Sequence, residues 1–571
     1  MKLRMIVSVY RLIHHNTERY SHESRNPGKD RIPPNQVWGR LSQARNDNLC
    51  GIVMSFIYFF ILCFILFHPP EILGVSPEIL KSLSEKLERL DVEEASAEVK
   101  DLLIQEPKDP KLLDLAAQIS FYRGDYQESL RLMRSSLELE DEEKRKGFIH
   151  DVEGTIGVTR SFKRYESPHF SVSLDEKQDG ILSGYVLDAM EETFRFMAEH
   201  YGFTPKEKIR IEIFPDTKGF YLATSLSARD IEVTGAVGIA QFNKLMVLSP
   251  RSMVHGYRWL DAISHEYMHH LIIKLTANRA PIWFHEGLAK YDETRWRKGS
   301  SYLSPLYETL LSRALAEGRL IRFEKMEPSL VKLDTPDDVQ LAYAQAASAI
   351  EFIISKAGHE GLREIMKRMA VSETGGAGDS IRAVMGLEFS EFEKNWKEFL
   401  ASKNLKGVDG VNVRKLKIKG GLADEERIDL EEIKSMVARN RAHLGDQLKE
   451  RGRTGAAVIE YRRALSENPN SVPVLNRLSS VLVGMEREKE ALELLVRARD
   501  LSPDHPTAYA SLGKVFLKQN DFKSAMESFQ ASIQINPFNP EVHLGLAEAY
   551  EASGDKDRGL KEREIARKLI P

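Results

Sequence analysis

Two short stretches between Ala262 and Glu293 hold residue types that can do metal chemistry: His265-Glu266-Tyr267-Met268-His269 and, after a gap, Trp283-Phe284-His285-Glu286-Gly287. On a helix, residues four apart share a face about 6 Å apart, so two imidazoles at His265 and His269 can converge on one ion. A hydrolytic zinc takes three nitrogen or oxygen ligands from the protein and keeps one position for water. Glu266, beside the first histidine, is placed to reach that water. The third ligand must come from a second helix entered by a short turn. Asn278 to Pro281 supplies the turn, and proline suits the first position of a helix. Glu286 then stands 17 residues beyond His269. Glu293 lies seven residues further, two turns on and on the same face, where it can accept the distal N–H of a ligand histidine and fix its tautomer. His270 and His285 sit beside ligands but point elsewhere on their helices, and read as structural histidines. Asp292 reads as a solvated surface acid.

The elements that must carry these residues follow from hydrophobic periodicity. Trp259, Leu260, Ile263, Met268, Leu271 and Ile272 make the first helix apolar around its length, as a buried helix is. Upstream, His169–Leu174 alternates like a strand, residues 180–201 are helical with Leu182, Val186, Met190 and Phe194 on one face, and Ile209–Phe214 is a second strand. Gly235 to Pro250 reads as further strand, with a hairpin as one option. After Arg297 the pattern is helical to about Leu405. The expectation is an α+β domain over 165–405, a small sheet followed by a helical subdomain.

The stretch "HEYMH…WFHEGLAKYDE" resembles the gluzincin metallopeptidases, the clan of thermolysin and the zinc aminopeptidases, and within it the peptidase-MA-like family often found beside tetratricopeptide repeats. The resemblance covers about 165–400. It implies a thermolysin-like zincin domain holding one Zn2+ per chain, with His265, His269 and Glu286 as ligands and Glu266 as the general base of peptide hydrolysis. It also implies a tyrosine from a downstream helix as a donor to the oxyanion, for which Tyr343 in "LAYAQAASAIEF" is the candidate, and a packed core tyrosine is the other reading of that residue. The 16 residues between His269 and Glu286 are slightly fewer than is usual in the aminopeptidases. Those enzymes also anchor a free amine with a Gly-x-Met-Glu-Asn stretch. Gly235-Ala236-Val237-Gly238-Ile239 has no acid at the comparable place, so an endopeptidase is expected, with this stretch as an edge strand for extended substrate.

The C-terminal end repeats. Leu444, Leu478, Leu512 and Leu546 are spaced by 34, as are Ala457, Ala491, Ala525 and Gly559, and Pro469, Pro503, Pro537 and Pro571. Three registers agreeing at 34 resemble four tetratricopeptide repeats over 436–571, a stacked helical solenoid that recruits a protein partner or substrate. Pro110–Leu130 can be laid on Pro506–Met526, so residues 76–141 read as two diverged repeats. Residues 406–435 read as a linker with a short strand and no recognisable chemistry.

Gly51–Phe67 is apolar and uncharged, just long enough for a membrane span, and residues 50–67 are assigned as a transmembrane helix or signal anchor. Residues 1–49 hold nine Lys/Arg against four acids, which by the positive-inside rule puts that segment in the cytoplasm and the catalytic domain outside it. The only cysteines, Cys50 and Cys63, lie in or beside this run, so disulfides and cysteine-based zinc sites or nucleophiles are excluded from the rest of the chain. A net charge of -4 and the lack of a Lys/Arg stripe with interleaved aromatics give no argument for nucleic acid, and no nucleic-acid partner is expected. The expected protein is a membrane-anchored zinc metallopeptidase. The alternative is a scaffold whose peptidase domain has lost activity and whose repeats do the work.

Overall fold

The computed structural model describes residues 75–570 apart from 225, 227–234, 298–300, 331–332, 373–375, 412, 414–415 and 420–423. The apolar run Gly51–Phe67 and the basic segment before it lie outside the described residues. No helix among the described residues is long and apolar enough to cross a membrane. The protein is mostly helical, with one small mixed sheet and helical repeats near both ends of the described chain.

The sheet has five strands: β1 (Phe162–Glu166), β2 (Phe170–Asp175), β3 (Ile209–Phe214), β4 (Gly238–Gln241) and β5 (Lys244–Leu248), in the order β1-β2-β3-β5-β4. β2, β3 and β5 run parallel, with Val172 opposite Ile211 and Ile211 opposite Leu245, while β1 and β4 close the two edges antiparallel. β1 escapes sequence reading because its residues, FKRYE, carry the charges of a solvated edge rather than an apolar face. The hairpin option for 235–250 is realised: β4 and β5 are joined by Phe242 and Asn243, both at positive φ (53° and 56°), the conformation of a two-residue type I′ turn.

Helices Leu182–Tyr201 and Trp259–Thr276 pack on this sheet. The second of these ends in two left-handed residues, Ala277 and Asn278, and Pro281 then caps helix Ile282–Asp292. That sharp turn folds the two halves of the opening motif onto each other. The long helix Pro336–Val371, kinked at Gly358, crosses behind them. One apolar core, from Phe170 on β2 to Leu400 in helix Phe389–Ser402, unites the sheet with these helices.

The C-terminal repeats are four helix pairs: Met436–Glu450 with Thr454–Glu467, Val472–Gly484 with Glu488–Leu501, Pro506–Lys518 with Phe522–Ile533, and Pro540–Ala552 with Lys556–Leu569. Leu478, Leu512 and Leu546 are buried between stacked pairs, but Leu444, in the same register, is 43% exposed because its pair begins the stack. The repeats dock on the segment that leads into helix Trp259–Thr276. The Tyr257 N–H donates to the Ile535 carbonyl (3.0 Å), and the Trp259 indole N–H donates to the Ile533 carbonyl (3.3 Å). Arg258 donates to Asp504 (2.8 Å) and to the Pro503 carbonyl (2.7 Å).

Near the N-terminus, helices Pro77–Glu88, Val92–Gln105, Pro110–Tyr122 and Tyr126–Leu139 stack, and a fifth helix, Glu143–Thr159, continues the array. This array touches the sheet through Lys244, 1% exposed, whose ammonium donates to the Tyr126 hydroxyl (2.6 Å) and lies over the Phe121 ring. Burial pushes the Lys244 ammonium down to about 8, although Glu212 nearby opposes the shift.

Candidate metal centre

Helix Trp259–Thr276 presents His265 and His269 on one face, and helix Ile282–Asp292 brings Glu286 against them. The two histidine Nε2 atoms are 3.1 Å apart, and Glu286 Oε2 lies 3.4 Å from each. A tetrahedral ion bonded at about 2.0–2.1 Å needs donors about 3.3–3.4 Å from one another. The three donors here define a triangle of that size. Its circumradius is about 1.9 Å, so a point roughly 2.0–2.1 Å from all three lies just off their plane. The donor set fits a zinc-type ion in size and in ligand chemistry.

The proton that must leave one nitrogen of His265 has a place on the other. Glu293 Oε2 accepts from His265 Nδ1 at 3.1 Å, which directs Nε2 toward the other donors. Lys290 in turn fixes Glu293, with Nζ 3.0 Å from Oε1 and 2.8 Å from Oε2. Burial disfavours the His265 imidazolium, but Glu286 and Glu293 outweigh it and hold the group up to about 9. Burial likewise opposes the Glu286 carboxylate, and His269 and His265 still hold it well below the usual carboxylate range.

Glu266 is nearly enclosed, 8% exposed, and burial pushes its carboxyl up. The Ala240 N–H on β4 donates to it, and Gly238 on the same strand lies against its side chain. A Cβ at Gly238 would stand 2.9 Å from Glu266 Cγ and 3.0 Å from Oε1. β4 therefore seats Glu266. Tyr343 comes from helix Pro336–Val371. Its ring is edge-on to His265, 6.4 Å between centroids, and burial pushes its hydroxyl well above its ordinary range. All six residues singled out in the sequence, His265, Glu266, His269, Glu286, Glu293 and Tyr343, thus belong to one neighbourhood.

The surface reading of Asp292 is wrong. Asp292 is fully buried, the Tyr201 hydroxyl donates to it, and burial raises its carboxyl to about 6. Tyr201, at the end of helix Leu182–Tyr201, meets Asp292 where the surface reading put water. His270 and His285 are buried on their helices, as expected of structural histidines.

Three residues of the site escaped sequence reading. Lys290 is not singled out by the sequence pattern, and the structure places it against Glu293, Tyr307 and Tyr343. Gly238 sits in the stretch searched for a missing acid, where its importance is the side chain it lacks. Gly287 follows Glu286 directly, and a Cβ there would lie 2.5 Å from the Ala346 carbonyl oxygen. Only glycine lets helix Pro336–Val371 come close enough to back the ligand.

Two stretches of the chain match models of known families. Residues 189–402 match the Peptidase MA superfamily model, and residues 440–570 match a tetratricopeptide repeat model. The chain therefore carries a Peptidase MA superfamily domain together with tetratricopeptide repeats. Among curated proteins it is 32% identical over 91 residues to the type IV pilus assembly protein PilF of Pseudomonas aeruginosa, covering 16% of this chain and 36% of that protein. It is 26% identical over 97 residues to the small glutamine-rich tetratricopeptide repeat-containing protein 2 of Mycosarcoma maydis, covering 17% of this chain and 28% of that protein. The chain thus spans about a third or less of the length of these relatives. A solved structure of MamA aligns at 20% identity with a TM-score of 0.22, covering 27% of this chain and 96% of that one.

Proposed function

We propose that the protein is a zinc-dependent metallopeptidase, acting as an endopeptidase on a protein or peptide substrate, with His265, His269 and Glu286 holding the ion and Glu266 as general base. The observation that carries the reading is the donor triangle of 3.1–3.4 Å with a carboxylate seated next to it. When bound there, zinc supplies Lewis acidity to a peptide carbonyl and brings the pKa of a water toward 7. Glu266 accepts the proton of the attacking water and returns it to the leaving amine. Its burial raises its basicity toward the range in which a general base works at neutral pH. Glu293, braced by Lys290, keeps the His265 proton on Nδ1 throughout. Tyr343 presents its hydroxyl to the developing oxyanion, and β4, the edge strand beside Glu266, offers backbone groups to an extended substrate.

The repeats recruit a protein partner or substrate, and residues 50–67 anchor the chain in a membrane with the peptidase domain outside the cytoplasm. What supports this topology is the charge asymmetry flanking the apolar run. The test is cleavage of an unfolded protein substrate by the zinc-loaded chain and its Glu266→Gln variant. Hydrolysis by wild type that falls by about 10²–10⁴-fold in the variant is expected. Equal rates from both proteins would remove Glu266 from the mechanism.

A further inference from the structure

A second group of metal-type donors lies outside the peptidase site, where three separate parts of the chain meet. His255 comes from the segment leading into helix Trp259–Thr276. Asp429 comes from helix Asp424–Glu431, within the stretch that reads as an inert linker. His505 is the N-cap of the repeat helix Pro506–Lys518. One ligand atom from each lies within 4.8 Å of the others, and His255 Nε2 is 3.0 Å from Asp429 Oδ1. Despite that approach, Asp429 Oδ1 is buried and accepts no hydrogen bond among the described residues. The peptidase site likewise brings a carboxylate oxygen close to ring nitrogens, with Glu286 Oε2 3.4 Å from both histidine Nε2 atoms.

The surroundings are built rather than incidental. His255 and His505 are 6% and 2% exposed. Arg477 stands 3.6 Å from the other carboxylate oxygen, Oδ2, and leaves Oδ1 turned toward the histidines. The neighbouring backbone is locked: the Val254 N–H donates to the Lys417 carbonyl (3.0 Å), and Gly256 is so close to Ile535 that a Cβ would meet its carbonyl oxygen at 2.1 Å.

We infer that His255, Asp429 and His505 form a second divalent-cation site, one that fastens the linker and the repeats to the segment entering the active-site helix. Two imidazoles and one carboxylate select a zinc-type ion over calcium or magnesium, which take oxygen ligands. His505 Nδ1 accepts from the Thr507 N–H at 3.3 Å, so the ring proton stands on Nε2 and must leave it for a cation to bind there. Binding there moves the ring proton to Nδ1 and gives up that long capping contact. The role is structural. Trp259, four residues beyond His255, begins the helix that carries His265 and His269, so the ion sets the position of the repeats relative to that helix.

The test is zinc content of the full-length chain after equilibrium dialysis against zinc. Wild type is expected to hold two equivalents, and His269→Ala/Glu286→Ala one. Adding Asp429→Asn and His505→Gln to the latter removes the last. If the peptidase reading alone fails, wild type holds one equivalent and loses it with Asp429→Asn/His505→Gln. No difference in zinc content on adding these two substitutions overturns the inference and leaves a cluster that exchanges only protons. A second readout avoids altering the cluster. In the His269→Ala/Glu286→Ala chain, zinc at 100 times its Kd should slow limited proteolysis within 406–435 by up to about 100-fold relative to chelator. Cleavage at the same rate with and without zinc also overturns it.

Discussion

Alanine at Gly238 would separate the seating of Glu266 from the holding of the metal. Gly238 lies in β4 with strand geometry, so an alanine backbone is unstrained there and the whole effect comes from the added methyl group. That methyl would stand 2.9 Å from Glu266 Cγ, 3.0 Å from Oε1 and 3.1 Å from Val247 Cγ1. Relaxing these contacts to ordinary van der Waals distance displaces the carboxylate by roughly half an ångström to one ångström. The Ala240 N–H bond that aims it is stretched or lost. A misplacement of about 1 Å at a reacting group costs on the order of 10²-fold in rate. None of the three atoms nearest the new methyl belongs to His265, His269 or Glu286, so metal content should stay at the wild-type level. The assay is kcat/KM on an unfolded protein substrate together with zinc per chain. A fall of about 10²-fold in kcat/KM with unchanged zinc is expected. Wild-type activity in Gly238→Ala would refute the claim that β4 seats the base, and loss of zinc would refute the separation of base from ligands.

Three further outcomes follow from the same geometry. Gly287→Ala places a methyl 2.5 Å from the Ala346 carbonyl oxygen, where only backbone can yield, so Glu286 shifts off its partners and zinc affinity, by equilibrium dialysis, should fall at least about tenfold. Glu293→Gln leaves Lys290 without its carboxylate and weakens the hold on His265 Nδ1, and zinc affinity should fall by about 10–100-fold while the fold is retained by circular dichroism. The lysine buried at the N-terminal array gives a pH dependence. Its folded pKa of about 8 lies below the unfolded value of 10.5, so the unfolded state binds more protons between these values and wild-type stability gains as pH rises through that window. Relative to Lys244→Met, wild type should gain about 2 kcal/mol between pH 8 and 9.5, measured by denaturant unfolding, and a constant difference would show that Lys244 is not held at a lowered pKa.

The centre of the site was legible because its spacing is helical arithmetic. The positions of His265, His269, Glu286 and Glu293 depend on two helices and one turn, all local in sequence. Asp292 was misread for a reason of the same kind. Its neighbour Glu293 faces the site, and local pattern does not show that Tyr201, 91 residues away, comes to donate to Asp292. β2 and β3 were visible as strand-like stretches with apolar residues at alternate positions, whereas β1 has the composition of a solvated loop and is a strand only because β2 offers it an edge. Gly238 and Gly287 act by the absence of a side chain, so their roles emerge only when the opposing atoms are placed. The linker is the clearest failure of local reading. Asp429 has no motif around it, and its partners lie 174 and 76 residues away, brought to it by the docking of the repeats.

The most direct test of the peptidase site is the zinc content of the purified full-length chain compared with that of His269→Ala/Glu286→Ala, by elemental analysis at neutral pH. The difference expected is one equivalent of zinc lost with the two ligands. The same zinc content in both proteins, with both folded, would mean that the donor triangle holds no ion, and the hydrolytic mechanism built on it would fall.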